Sequence, residues 1–309
     1  MTPMIPSMPG GKQAFRKPWL DYGDQIKVLE SRGLQVQNPQ EAQAWLAHVN
    51  YYRFSGYSIA FESTRHVFRP GSSFEQVQAA YVFDQKLRSA LMDAIAVVEI
   101  DLRTSIAHHF GKVHAPFAHA EGRNFYQQYR HPDWLTKLQH ETERSHEDFV
   151  EHFRQHYQEF PNLPIWMATE LMSFGTLSLM LKMMQRDDQK AIAARYKIQA
   201  RFLESWVHHL VYIRNVCAHH ARVWDRNWSI KPELPPTPKW SQPYLSDNSR
   251  LYATILILLH LLRHCQASQV FFTDWTHRIQ NLLHSPPQAL NAQGRMGLTN
   301  QWSSHPFFL

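Results

Sequence analysis

The sequence predicts an all-α protein, built as an elaborated helical bundle with a small helical extension at its N-terminal end. Apolar residues recur at spacings of three and four over most of the chain, which is typical of amphipathic helices. The chain contains no internal repeat and no series of alternating strands. With 309 residues, of which 44 % are hydrophobic, it can bury a large core.

The N-terminal part divides into a leader and a small helical unit. Residues 1–18 are rich in proline and lack a continuous apolar run, which predicts a flexible leader and argues against a signal peptide. Apolar spacing predicts a helix over 22–32. Asn38 can cap a second helix over 39–49, with proline at its first position. Together these segments predict a helical accessory unit over 19–70.

The main bundle is predicted over 71–284. Ser72 and Glu75 have the spacing of a capping box, and a long helix should run from there to a stop at Gly111. Further helices are predicted over 133–157, 200–221, 249–264 and 271–283. The proline-rich segment 231–243 is predicted to be an extended connector beside the candidate active-site end of the helix over 200–221. Residues 285–309 should form a tail packed on the bundle.

Charge and cysteine content limit the possible partners and compartments. A net charge of +6 and a sequence pI near 9.3 favour an anionic partner, most commonly nucleic acid. A mildly basic globular protein without such a partner is the alternative. Cys217 and Cys265 are too few for a disulfide framework, which suits the cytoplasm. The longest apolar run, 251–262, is shorter than the roughly 20 residues that span a bilayer, so no membrane association is expected.

Residues 212–226 contain the candidate catalytic side chains. Metal-independent RNA cleavage requires a group that moves protons at the 2′-hydroxyl and the 5′-oxygen, and a fixed cation for the phosphorane charge. Histidine titrates near neutral pH, and the arginine guanidinium matches phosphate oxygens. Arg214 is followed at suitable spacing by His219 and His220. Asn215 and His219 share a helical face, whereas His219 lies roughly 140° around an ideal helix from Arg214.

The spacing alone does not identify the site. Six arginine-to-histidine pairs have four to six intervening residues, and about four are expected by chance from 21 arginines and 20 histidines. The pairs begin at Arg103, Arg201, Arg214 and Arg278. Periodicity therefore cannot choose between them.

The surrounding residues resemble the signature of a known family. The stretch reads Arg214-Asn215-x-Cys217-Ala218-His219-His220-x-Arg222-x-Trp224, which resembles the Abi-like family (AbiD/AbiF, abortive infection). Further blocks resemble the same family in the same order, at 50–57, 83–88, 99–103 and 164–178, with Met296, Gly297 and Trp302 in the tail. Asp225 stands where the family more often has asparagine.

The resemblance implies a HEPN-type ribonuclease domain in the bundle. It implies a metal-independent endoribonuclease that acts as a toxin-like effector in bacterial antiviral defence, with no cofactor and no metal. Arg214 would hold the phosphate, and His219 would transfer protons. Asn215 would be an orienting group, and His220 and Arg222 would assist. The expected products are a 2′,3′-cyclic phosphate and a 5′-hydroxyl. A homodimer and an inhibitory partner RNA are implied as further partners.

Other residues are predicted to support this site. Glu99 and Arg103 stand at i and i+4, the favourable order for a helix-stabilising ion pair, and the resemblance adds a position near the catalytic pair. Tyr52, Arg53 and Arg226 are predicted to contact RNA. For the aromatic block around Tyr52, packing within the N-terminal unit is the alternative.

Two other functional classes fit the same residues. The cluster could bind RNA without cutting it, or it could be structural, with His219 and His220 capping helix carbonyls. A second catalytic motif at His108 and His109 is a minor alternative. His152 could share a metal ion with a histidine one turn away, but a solvated helix face explains both.

Overall fold

The structure is a computed structural model that describes residues 18–265 and 269–308. Over these residues the regular secondary structure is helical except for one small hairpin, which confirms the all-α prediction. The chain forms two compact units, one up to Tyr81 and one from Val82 onward. The predicted leader lies almost entirely outside the described residues.

The N-terminal unit contains α1 (Tyr22–Ser31), α2 (Pro39–Val49), α3 (Tyr51–Ser58) and an antiparallel hairpin of β1 (Glu62–Thr64) and β2 (Val67–Phe68). Asn38 caps α2 as predicted, since its side chain accepts a hydrogen bond from the Glu41 N–H. The aromatic core of the N-terminal unit includes Phe54, which stacks on Phe74 with ring centroids 4.5 Å apart. The hairpin and α3 were not predicted, because each is too short to show periodicity.

Helix α4 (Phe74–His114) begins in the first unit and continues into the second. Its capping box is one residue later than predicted: the Gln76 N–H donates to Ser73 Oγ, and the Ser73 N–H donates to Gln76 Oε1. The predicted stop at Gly111 is also wrong. A Cβ at this glycine would lie 3.3 Å from Ile165, so Gly111 permits close packing and the helix continues past it.

The second unit holds the remaining helices, α5 (His131–Arg144), α6 (Asp148–His156), α7 (Ile165–Leu171), α8 (Phe174–Met183), α9 (Arg186–Arg195), α10 (Ala200–Ala218), α11 (Leu251–His264), α12 (Gln269–His284) and α13 (Ala292–Met296). The single polar helix predicted over 133–157 is two helices, separated at extended residues that include Ser145 and Glu147. Helix α9 was not predicted, since most of its residues are polar and only a few are buried.

The core of the second unit surrounds α11 and α10. Eleven of the fourteen residues of α11 are buried, as expected for a bundle helix. Helix α10 packs against α8 and α9, and α11 packs against α12. None of the described helices has both the length and the apolar character needed to cross a bilayer.

The connector 231–243 runs along α10 toward the start of that helix. The Trp206 Nε1–H donates to the Glu233 carbonyl at 2.7 Å, and Trp206 packs against Trp240 with centroids 4.9 Å apart. Trp206 lies in the first half of α10, about 12 Å along the axis from Arg214. The prediction that the connector lies beside the candidate active-site end is therefore wrong for most of its length.

Candidate functional site

The candidate site lies where α10 ends. The His220 N–H donates to the Cys217 carbonyl at 2.9 Å, and the Ala221 N–H donates to the Val216 carbonyl at 3.0 Å. These two bonds form a Schellman motif, which places His220 in the left-handed region at a φ of 54°. Glycine usually occupies this position, because a side chain there costs about 1 kcal/mol or more. The helix therefore stops at a fixed point with a strained histidine.

The sequence around this end separates into a buried and an exposed set. Ile213, Val216 and Cys217 are buried and face the core. The polar residues of the same turns are exposed: Arg214, Asn215, His219 and His220. Burial, together with the nearby Asp84 charge, raises the Cys217 pKa to about 12, so the thiol stays protonated and is a poor nucleophile.

A buried carboxylate holds the loop that follows the exposed set. Asp84 on α4 is fully buried, and its Oδ1 accepts hydrogen bonds from the Val223 N–H at 3.0 Å and the Trp224 N–H at 2.9 Å. Its other oxygen forms an ion pair with buried Arg88, one turn along the same helix. The block at 83–88 thus has a structural role at this loop that the sequence did not reveal.

Glu99 and Arg103 form a second cluster on α4. Arg103 Nη2 donates to Glu99 Oε1 and to the Met172 carbonyl, both at 3.1 Å. Its Nη1 lies 3.6 Å from a carboxylate oxygen of Glu170. Burial raises the Glu99 pKa, while the positive charges of Arg103 and Arg214 act in the opposite direction. The positive charge of Arg214 is thus within electrostatic reach of Glu99.

Arg214 is only lightly held within the part of the chain that the structure describes. Its Nη1 donates a long hydrogen bond of 3.5 Å to Asn215 Oδ1, and both residues are exposed. An exposed guanidinium without a close carboxylate contact can bind an incoming anion at little desolvation cost.

The arginines of two other pairs with the same spacing are held by carboxylates. Arg103 forms an ion pair with Glu99. Of the two histidines that follow it, His109 is partly buried, and its Nε2 lies 2.8 Å from Asp188 Oδ1. Arg278 donates to Asp93 at 2.6 Å. These contacts distinguish both pairs from Arg214, although spacing could not. The contact with Asp188 also gives His109 a structural role, which is an alternative to the second catalytic motif considered for His108 and His109.

The loop after the helix carries two further arginines. Arg222 and Arg226 are both half-buried. Arg226 Nε donates to the Tyr212 hydroxyl at 3.3 Å. Burial acts to raise the Tyr212 pKa, but hydrogen bonds from Ser229 and Arg226 outweigh it and lower the pKa overall. Arg226 is therefore positioned by a tyrosine on α10.

Asp225 does not present an unpaired negative charge to this loop. Its carboxylate lies 2.7 Å from Arg295 Nη1 and 3.5 Å from Arg250 Nη1. Gly297 makes this arrangement possible, because its φ is 82° and a Cβ there would lie 2.7 Å from the Arg250 Cβ. The glycine in the tail block thus serves the contacts of Asp225.

The two candidate RNA contacts of the N-terminal unit differ in exposure. Tyr52 is 85 % exposed, Arg53 is half-buried, and neighbouring Phe54 is fully buried. The aromatic block therefore contributes both to the core of this unit and to its surface. Sequence alone left these two roles as alternatives.

The paired histidines of α6 lie on a solvated face. His152 and His156 are exposed, and their rings stack with centroids 4.3 Å apart. Within residues 18–265 and 269–308, no group of three or more histidine, cysteine or acidic side chains could hold a metal ion.

Fold and site together define an all-α protein with an exposed Arg-Asn and His-His cluster at a helix end, followed by a loop that a buried aspartate anchors. A family model described as Abi-like protein matches residues 44–225, and the chain belongs to this family. The match includes the anchor, the α4 cluster and the end of α10. Membership suggests a role in abortive infection, a form of defence. No significant match was found among curated proteins or among solved structures.

Proposed function

We propose that the protein is a metal-independent endoribonuclease of the HEPN type and a toxin-like effector of abortive infection. The observation that carries the proposal is the joint exposure of Arg214, Asn215, His219 and His220 at a helix end of fixed geometry. Family membership supports a defence role, and the basic net charge of +6 supports an RNA substrate.

The chemistry would use the RNA's own nucleophile. His219 removes the proton of a 2′-hydroxyl, and the 2′-oxygen attacks the adjacent phosphorus. The bond from phosphorus to the 5′-oxygen then breaks, and a second imidazole protonates that oxygen. The products are a 2′,3′-cyclic phosphate and a 5′-hydroxyl. Arg214 stabilises the additional negative charge of the phosphorane through bidentate hydrogen bonds from its guanidinium.

Asn215 and the α4 cluster would position the reacting groups. Asn215 accepts a hydrogen bond from Arg214 and so restrains the guanidinium. Glu99 balances part of the charge of Arg103 and Arg214. His220 and Arg222 would assist, and Tyr52, Arg53 and Arg226 would contact the RNA strand. No cofactor takes part in the proposed reaction.

A homodimer would complete the site. One chain supplies one Arg214 and one His219, whereas the reaction needs a base, an acid and a cation. Two copies that meet at the ends of their α10 helices would provide both imidazoles. Sedimentation of the active protein should give the mass of a dimer, and full activity from a stable monomer would refute this part of the proposal.

The test is RNA cleavage in the presence of EDTA by variants of Arg214 and His219. His219→Ala should lower the rate by about 10²- to 10⁴-fold, the usual contribution of an acid–base group. Arg214→Ala should lower it by about 10²- to 10³-fold. Matched controls are Arg144→Ala and His146→Ala, since these side chains are 64 % and 88 % exposed on the same unit. Unchanged cleavage by both site variants would refute the assignment.

An RNA-binding module without catalysis is the second candidate. This function is favoured because one chain supplies only one Arg214 and one His219. That pair can bind a phosphate, but cleavage by the proposed mechanism would need a second imidazole. Tight RNA binding with no cleavage across varied substrates, and no effect of His219→Ala on growth inhibition, would support this function. An inhibitory partner RNA would be a ligand in either case.

A further inference from the structure

A cavity of about 510 Å³ lies in the second unit, at the opposite end of α10 from the candidate RNA site. It is bordered by the start of α10, the connector 231–243 and the end of α11. Its volume is in the range of about 300 to 1,000 Å³ that is typical of small-molecule sites. Trp206, which lines it, and His219 are 13 residues apart on α10, or roughly 20 Å along the helix axis.

One wall of the cavity is aromatic and well packed. Trp206 and Trp240 lie 4.9 Å apart, and Trp240 contacts Phe307 edge-on at 5.3 Å between ring centroids. All three are at most 7 % exposed, so the wall is held by its own packing. The cavity is therefore lined on this side by a preformed aromatic surface that suits a flat apolar group.

The rim of the cavity is cationic. Lys197, Lys239, Arg263 and His264 line it, and the described lining contains no carboxylate. Within the part of the chain that the structure describes, neither lysine nor Arg263 forms an ion pair. Arg263 Nη2 donates to the Phe307 carbonyl at 3.0 Å, and the Lys239 ammonium lies 5.6 Å from the Phe307 ring. Both cations are thus positioned beside the aromatic wall.

Two further features favour an anion here. Helix α10 begins at Ala200 without a side-chain cap and without an acidic residue in its first turn, so its positive dipole end is uncompensated beside the cavity. His260 also lines the cavity, and burial, together with the nearby charges of His264, Lys239 and Arg263, lowers its pKa to about 4. The effect of these neighbours on His260 also indicates that their positive charges lie close together around the cavity.

The neutral imidazole of His260 has a defined hydrogen-bonding state. Its Nε2 lies 2.8 Å from the Tyr196 carbonyl, which can only accept, so Nε2 carries the proton. Nδ1 is then an acceptor. A ligand with a hydroxyl or amino group, in addition to an anionic group and a flat ring, matches the chemistry of this lining.

We propose that the cavity is a binding site for a free nucleotide, with its phosphates at Lys197, Lys239 and Arg263 and its base against the aromatic wall. An inorganic phosphate would leave the aromatic wall unused, and a neutral nucleoside would leave the cations unused. This site is separate from the candidate RNA site and does not depend on the proposed ribonuclease activity.

Calorimetric titration of the full chain with ATP, AMP, adenosine and inorganic phosphate tests the proposal. ATP and AMP should bind with a stoichiometry of one per chain, and adenosine and phosphate should each bind at least about tenfold more weakly, since each uses one half of the site. Lys239→Ala and Arg263→Gln should each weaken ATP binding by about tenfold, as expected for one charge-assisted contact. The matched control is Lys231→Ala, an exposed lysine of the same connector that does not line the cavity.

A second measurement avoids variants altogether. Photo-crosslinking of wild-type protein with 8-azido-ATP, followed by mass spectrometry, should label peptides from the connector or the end of α11. The proposal is overturned if folded protein shows no saturable binding of ATP or AMP, or if the label falls on other peptides. It is also overturned if only a 5′-phosphorylated RNA oligomer binds, or if Lys239→Ala and Arg263→Gln together leave ATP affinity unchanged.

Discussion

Replacement of Asp84 by asparagine should destabilise the second unit strongly. The Asp84 carboxylate is fully buried, pairs with Arg88, and accepts two backbone N–H groups of the loop after α10. The amide oxygen of asparagine can keep the N–H contacts, but the charge that balances Arg88 is lost. An uncompensated buried charge costs about 3 to 5 kcal/mol. The free energy of unfolding should fall by that amount in urea denaturation.

Asp93→Asn provides the matched control on the same helix. Asp93 also pairs with an arginine, Arg278, at 2.6 Å, but the two side chains are 45 % and 43 % exposed. An exposed pair contributes about 0 to 1 kcal/mol, so this variant should unfold nearly as the wild type does. Equal destabilisation by Asp84→Asn and Asp93→Asn would refute the reasoning.

A double-mutant cycle isolates the buried pair. Arg88→Met removes the charge that Asp84→Asn leaves uncompensated, so the double variant should be less destabilised than the sum of the single variants. Additive effects would show that Asp84 and Arg88 do not act as a pair. The same variants report on the candidate site, because they alter the anchor of the loop that carries Arg222 without changing Arg214 or His219.

Two further predictions concern the tail and the response to pH. Gly297→Ala should lower the free energy of unfolding by about 1 kcal/mol or more, because its φ of 82° and the 2.7 Å approach to Arg250 both oppose a Cβ. Gly294→Ala, a helical position with open space, should be neutral or stabilising in the same urea experiment, and similar losses for both would contradict the packing argument. Burial lowers the pKa of His119 to about 4 from an ordinary value of 6.5, so the unfolded chain binds a proton in this interval that the folded chain does not. Stability should therefore fall as the pH drops from about 6.5 toward 4, and His119→Phe should show a shallower decline, whereas an identical decline would exclude this cause.

Local sequence signals predict the long amphipathic and apolar helices, because helix formation depends on nearby residues, but they miss short or polar helices such as α3 and α9. The Asn38 cap and the buried helix over α11 follow directly from composition and spacing. The capping box at the start of α4 was displaced by one residue because adjacent Ser72 and Ser73 offer similar caps. The glycine at 111 predicts a helix stop, whereas its packing partner Ile165 is distant in sequence and cannot be inferred from spacing.

The sequence names residues for a candidate site but does not show which residues support them. The family blocks singled out Arg214 and His219, and the structure adds their exposure and the Schellman end at His220. The contact between Asp84 and the Trp224 N–H joins residues 140 positions apart, so no local pattern could reveal it. The same holds for the arginine partners of Asp225, one of which lies in the tail.

The contacts of Asp225 make the tail a determinant of charge at the end of α10. The carboxylate is balanced by Arg250 and by Arg295, which lies 70 residues further along the chain. A chain shortened before Arg295 would lose one of these two cations, so the loop would gain negative potential close to the proposed RNA site. Partial proteolysis of the tail would then weaken RNA association more at low ionic strength than at high, where salt screens the exposed carboxylate.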